Sequence, residues 1–156
     1  MSIPIYETNE DRQRERAVAD FLSIRWNCIP VPSGQLAIHD YALCRHSHAD
    51  DKLFAHAYLE IKCRSLHRED FWLSKHKWDY LLELSDTTNR PAFIAVHCAT
   101  SDAVRYVRAC EPYPQLTFAG RTDRPDDPNA MEDMVIIPLH RFTHLGCLRS
   151  SLDSST

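Results

Sequence analysis

No apolar run in this sequence approaches the ~20 residues that a helix needs to cross a bilayer, which removes functions built on helical membrane spans. The first segment, Met1 to Arg16, is polar and charged and lacks the apolar stretch of a secretory leader. No CxxC pair occurs among the six cysteines, Cys28, Cys44, Cys63, Cys98, Cys110 and Cys147. Several of them sit in apolar runs that read as strands, so reduced and buried thiols in a cytoplasmic protein are expected, not a disulfide framework. Excess positive charge is absent too. A net charge of −4 and a pI near 6.1 argue against a general polyanion binder. That balance still leaves room for a nucleic-acid site, because carboxylates that hold a cation count as negative in the sum while the cation reverses the field locally. No internal repeat is visible. What is there is 156 residues of ordinary globular composition, enough for one domain with a real core. That domain is expected over residues 1–149, with an irregular arm at Met1 to Tyr6 and a disordered tail at residues 150–156.

Local patterns predict the order of elements. Thr8 or Asn9 can cap a helix, and Thr8-Asn9-Glu10-Asp11 resembles a capping box with aspartate in place of glutamate. The helix is expected to run to about Ile24 with Val18, Phe21 and Leu22 as its apolar stripe. Arg25 to Val31 reads as a strand, followed by a Pro32-Ser33-Gly34 turn. Leu36 to Cys44 and Phe54 to Lys62 read as the next two strands, joined through the polar segment Arg45 to Lys52. A second helix is expected from Ser74 to Ser85, with Trp78, Leu81 and Leu82 on one face. After Pro91, the unbroken apolar run Ala92 to Val96 has the character of a strand buried on both faces. Ala103 to Val107 and Met134 to Leu139 read as further strands, and a long loop holding Pro112, Pro114, Pro125 and Pro128 lies between them. The pattern predicts an α/β fold, a mixed central sheet flanked by helices.

The chemistry concentrates at Glu60-Ile61-Lys62. Side chains alternate along a strand, so Glu60 and Lys62 share one face. Asp40, about one hairpin upstream, can point to the same spot from a neighbouring strand. Two carboxylates beside an ammonium make a place for a divalent cation and an anionic substrate, the core of a metal-dependent nuclease.

Asp40, Glu60 and Lys62 in this setting resemble the PD-(D/E)XK nuclease superfamily, which includes many restriction enzymes, Holliday junction resolvases and phage exonucleases. The resemblance spans roughly Glu10 to Val96. Asp40 matches the first motif aspartate, preceded here by His39 where the motif has proline, and Glu60 with Lys62 matches the (D/E)XK element. It implies a restriction-endonuclease-like core of order αβββαβ and a metal-dependent hydrolase of phosphodiester bonds acting on DNA, with RNA left open. Asp40 and Glu60 would hold Mg²⁺, with Mn²⁺ able to substitute, and the backbone carbonyl of Ile61 would be a further ligand. The cation would polarise the phosphoryl oxygen and acidify a bound water, while Lys62 would orient that water or offset charge in the transition state. Lying among apolar strand residues, Lys62 is expected to have a lowered pKa. Family members often carry a helix acid just before the apolar stripe. Glu15 takes that part here, as an outer contact or second-metal ligand, with Asp11 its rival if not used in capping. A homodimer would suit scission of both strands, and proteins of this type are frequent in phage and mobile elements.

Lys75 and Lys77 fall in the first turn of the second helix, where the helix dipole disfavours cations. With Ser74 they would suit a phosphate. Arg64, His67 and Arg68 could add backbone contacts, and Trp72 is expected to cap the core, with base stacking the alternative. Cys44, His46 and His48, with His39 and His56 near them, lack the strong spacings of a zinc site and read as part of a polar hairpin loop. The competing function is a binding module that keeps the nuclease fold without catalysis. The role of the proline-rich loop near Gly120 and Arg121 is not legible in the residues.

Overall fold

The computed structural model describes residues 8–34, 37–66, 68–110, 112–120, 126–128 and 131–149. The expected arm and tail, Leu36, His67, Arg121 and Pro125 lie outside the described residues. Helix α1 spans Asn9–Trp26. Thr8 caps it as predicted: its Oγ1 accepts from the Asp11 N–H at 3.2 Å, and the Asp11 carboxylate takes the Thr8 N–H at 3.0 Å. The helix runs two residues past the expected end and stops at Asn27, whose φ of 52° breaks the repeat in the left-handed region. Strand β1 is therefore Ile29–Pro32, later and shorter than the expected Arg25 to Val31.

Strands β2 (Tyr41–His46) and β3 (Leu53–Arg64) form an antiparallel pair, and α2 (Lys75–Thr88) leads into β5 (Ala92–Cys98). Strand β5 runs parallel to β3, in register from Tyr58↔Ala92 to Arg64↔Cys98. With β6 (Ala103–Arg108) and β9 (Thr143–Cys147), these make a six-stranded mixed sheet in the order β1-β2-β3-β5-β6-β9. Asp40 falls just before β2 instead of within a strand from Leu36. Pro30 and Pro32 lie on the edge strand of this sheet, where a residue without an N–H is tolerated.

A second sheet was not expected. Strands β4 (Asp70–Ser74), β7 (Gln115–Gly120) and β8 (Met131–Pro138) pair in the order β4-β8-β7. Strand β7 occupies part of the stretch read as a proline-rich loop, and β8 starts three residues ahead of the expected Met134. A 3₁₀ turn at Leu139–Arg141 then returns the chain to β9.

The two helices cover opposite faces of the main sheet, and alternation decides which residue goes where. Leu43, Leu59, Ile61 and Ala95 pack against Val18, Phe21 and Leu22 of α1. On the other face Ile94 and Val107 pack against Trp78 and Leu81 of α2, together with Phe71, Leu73, Val135 and Ile137 of the small sheet. Thus β3 is held from both sides, by α1 through its odd-numbered residues and by the α2 layer through its even-numbered ones. Among the described residues, all six cysteines are free thiols, Cys44 and Cys98 buried and the rest part-buried. No described helix is long and apolar enough to cross a membrane.

Candidate active site

Glu60 is a charged residue in the middle of a central strand, and it is only 1 % exposed. Burying a carboxylate is tolerable only with compensation. Two ammonium groups supply it: Lys62 Nζ lies 2.7 Å and Lys77 Nζ 2.5 Å from the same oxygen, Oε1. Lys62 reaches it from two residues along β3, and Lys77 descends from the first turn of α2. The other oxygen, Oε2, is buried without a hydrogen-bond partner among the described residues.

Asp40 is pinned to the same strand by its backbone and its side chain. Its N–H donates to the Leu59 carbonyl at 3.0 Å, its carbonyl accepts from the Ser33 N–H at 2.9 Å, and Oδ2 accepts from the Ile61 N–H at 2.6 Å. This extends the β1-β2-β3 ladder one residue beyond β2 and turns the Asp40 carboxyl toward Glu60. Burial first, and then the Glu60 charge, push the Asp40 carboxyl up to about 6, while the two lysines and the Ile61 N–H pull the other way.

The lysines separate in a way that corrects the expectation for Lys62. Burial pulls Lys62 down, but the Glu60 and Asp40 carboxylates outweigh it, so its pKa is raised. Lys77 is the lowered one, through burial and then the adjacent Lys62 charge. One oxygen cannot serve two cations equally.

His39, standing where the motif has proline, ties this site to α2. Its Nδ1 is 2.9 Å from Tyr80 Oη, and its ring stacks over Tyr80 and meets Tyr58 edge-on. Burial lowers its pKa. The residues marked His39 only as the departure from the motif and as a neighbour of the loop histidines, and Tyr80 was not singled out. Their contact joins positions 41 apart in the chain, and no local pattern carries it.

The other predicted residues fall in different places. Ser74 caps α2, its Oγ accepting from the Lys77 N–H at 3.4 Å. Lys75 pairs with Asp79 at 2.5 Å over the Tyr113 ring, so the two first-turn lysines part company. Arg64 sits on the Glu60 face of β3 with its guanidinium 5.0 Å above the Phe71 ring. Asp11 is used in capping. Glu15 acts electrostatically on Tyr41 and Cys63. Trp72 does not cap the core: it is 40 % exposed on the small sheet. Among the described residues no three or more His, Cys, Asp or Glu side chains group closely enough to share a metal ion, so Glu15 does not join the carboxylate pair.

The pair by itself fits a hard divalent cation. Such an ion is often held by one or two carboxylates, with water and substrate phosphate completing its shell. Here an unpartnered buried Oε2 and an Asp40 carboxyl driven up by burial and then by the Glu60 charge are what a cation held by the two residues would relieve.

A family model described as "Phage putative PDDEXK endonuclease" matches residues 1–145. A solved structure described as a nuclease from a fusselovirus shares the fold, with a TM-score of 0.54, covering 99% of this chain and 100% of that one at 13% identity. No curated protein matches the sequence.

Proposed function

The chain belongs to the phage PDDEXK endonuclease family, and from that premise we propose that it is a divalent-cation-dependent deoxyribonuclease centred on Asp40, Glu60 and Lys62. The observation that carries this reading is the buried Glu60, held by two ammonium groups on one oxygen and left with the other oxygen unpartnered. Asp40 and Glu60 would hold Mg²⁺ or Mn²⁺, with the Ile61 carbonyl a further ligand by likeness to the family. When bound, such an ion supplies charge neutralisation at the phosphate and a more acidic water.

The protein's own groups do the positioning. Lys62 orients the attacking water and offsets the negative charge that gathers on the phosphate oxygens. Lys77 brings a second positive charge to the same centre from α2, where it also holds Glu60 in place. His39, through Tyr80, fixes the segment that carries Asp40 against the helix that carries Lys77. The substrate is a polynucleotide, and a dimer would allow both strands of a duplex to be cut.

The test is cleavage of supercoiled plasmid and of circular single-stranded DNA with Mg²⁺, Mn²⁺ or EDTA, run beside Glu60→Gln and Lys62→Ala. Cutting is expected with either metal, none in EDTA, and a loss of about a hundredfold or more in each variant, the scale of removing a preorganised charge. Cutting that survives both substitutions, or that persists in EDTA, would overturn the assignment of the centre.

A further inference from the structure

We propose that the cleft lined by residues of both sheets binds an unpaired stretch of polynucleotide, so that the protein engages single-stranded in preference to continuous duplex nucleic acid beside Glu60. This rests on the nuclease reading and gives that site a substrate form. The cleft has a volume of about 570 Å³ and is lined by residues of β3, β5 and β6 in the main sheet and of β4, β7 and β8 in the small one, with Trp72 and Met134 on the small-sheet face opposite Phe71 and Leu73.

Its continuity with the site follows from strand register. Lys62 is the ladder partner of Val96, and Val96 is the partner of Arg105. All three lie on the Glu60 face, because Glu60 and Ile94 occupy the equivalent row two residues earlier and Ile94 packs in the α2-side core. Val96 and Arg105 line the cleft, so it begins one strand from Lys62, and two strand spacings of about 4.8 Å reach Arg105.

Its chemistry selects the form of the ligand. A duplex keeps its bases stacked inside and offers a broad surface of phosphates, which calls for an extended cationic face. The net charge of −4 does not suggest one. The cleft instead interleaves Arg64, Arg68 and Arg105 with apolar wall residues and with Trp72, an indole left 40 % exposed. Guanidinium groups for phosphates and an aromatic face for a base are the pairing that single strands use. The Arg64 guanidinium over Phe71 adds a second planar group of the kind on which bases stack. Two carboxylates, Asp70 and Glu132, also line the cleft. They would oppose an uninterrupted row of phosphates, but they can accept hydrogen bonds from base amino groups, whose Watson–Crick edges are open in an unpaired strand. The volume of about 570 Å³ is of the scale of a nucleotide.

Binding of short labelled oligonucleotides to Glu60→Gln protein in EDTA tests this without cutting. The arms are single-stranded DNA, single-stranded RNA and a blunt duplex of equal length. At least one single strand is expected to bind about tenfold tighter than the duplex, and the tighter of the two names the sugar. Trp72→Leu is expected to weaken single-strand binding roughly tenfold, and Trp72→Phe, which keeps a ring, to retain most of it. Arg105→Gln should weaken single-strand binding and lower its salt slope by about 0.7. Duplex binding as tight as single-strand binding, or Trp72→Leu indistinguishable from its parent, would overturn the proposal. Failure of the cleft and failure of the nuclease reading are separable. Single-strand binding that depends on Trp72, with no cutting by the unsubstituted protein, keeps the cleft and removes the catalysis. Metal-dependent cutting with binding indifferent to Trp72 does the reverse.

Discussion

The two faces of β3 carry opposite chemistry, although they belong to the same twelve residues. Toward α1 the strand presents Leu59 and Ile61, both fully buried among apolar neighbours. Toward α2 it presents Glu60 and Lys62, also largely buried, in a cluster of charge. The first face gains free energy by leaving water. The second gives up hydration and recovers it only through close pairing. Stability and chemistry are thus divided between odd and even positions of one strand, and the rigid apolar side holds the charged side in register.

The largest expected effect comes from breaking the apolar face. Leu59→Ala should lose about 2–5 kcal/mol, because the cavity forms where two layers meet and little can collapse into it. Chemical denaturation would show it as a lower midpoint at unchanged slope. A loss under about 1 kcal/mol would mean that the face is less tightly packed than its burial indicates.

The charged face is expected to respond differently to partial and complete removal. Glu60→Leu leaves two ammonium groups crowded without their carboxylate and should cost on the order of 3 kcal/mol, somewhat softened because both lysines are partly exposed. Replacing Glu60, Lys62 and Lys77 together by Met converts this face into a copy of the other. That triple variant should be as stable as the parent or more so, while losing all cutting. Equal destabilisation of the single and triple variants would show that the charges stabilise the fold on their own account.

The smallest expected effect is a gain. Folding raises the Asp40 carboxyl from 3.8 to about 6, so the folded protein holds this proton more tightly than the unfolded chain does. Its contribution to stability is therefore full below 3.8 and is lost as pH rises through about 6. In EDTA at neutral pH, Asp40→Asn should remove that penalty and raise the melting temperature by about 2–4 °C, on the order of 1 kcal/mol, at the cost of activity. The parent should gain stability between neutral pH and pH about 5 relative to the variant, a difference that thermal melts across pH would reveal.

The charged face was partly legible in the residues and the apolar one almost fully. Period-two alternation put Glu60 and Lys62 together, and the capping signal at Thr8 located α1, because both depend on neighbours in sequence. Lys77 showed itself only as a lysine at a helix start where the dipole disfavours one. Nothing local could reveal that its partner is Glu60, seventeen residues away on another element. The direction of the lysine shifts was lost for the same reason: burial alone lowers an ammonium, and only the shared carboxylate decides which of two escapes. The small sheet stayed hidden because β4 is five residues long and begins at an acid, and because the prolines around β7 masked its pattern. Trp72 was misplaced with it.

Strand β1 carries Pro30 and Pro32 two apart, so both lack an N–H on the same side of the strand. Its neighbour β2 takes the side with donors, and the outer side is left with carbonyls where a passing strand would look for hydrogens. On that flank the sheet can accept and cannot donate. Growth by adding one molecule's strand to another's, the first step toward a fibril, meets a margin to which little can be stitched.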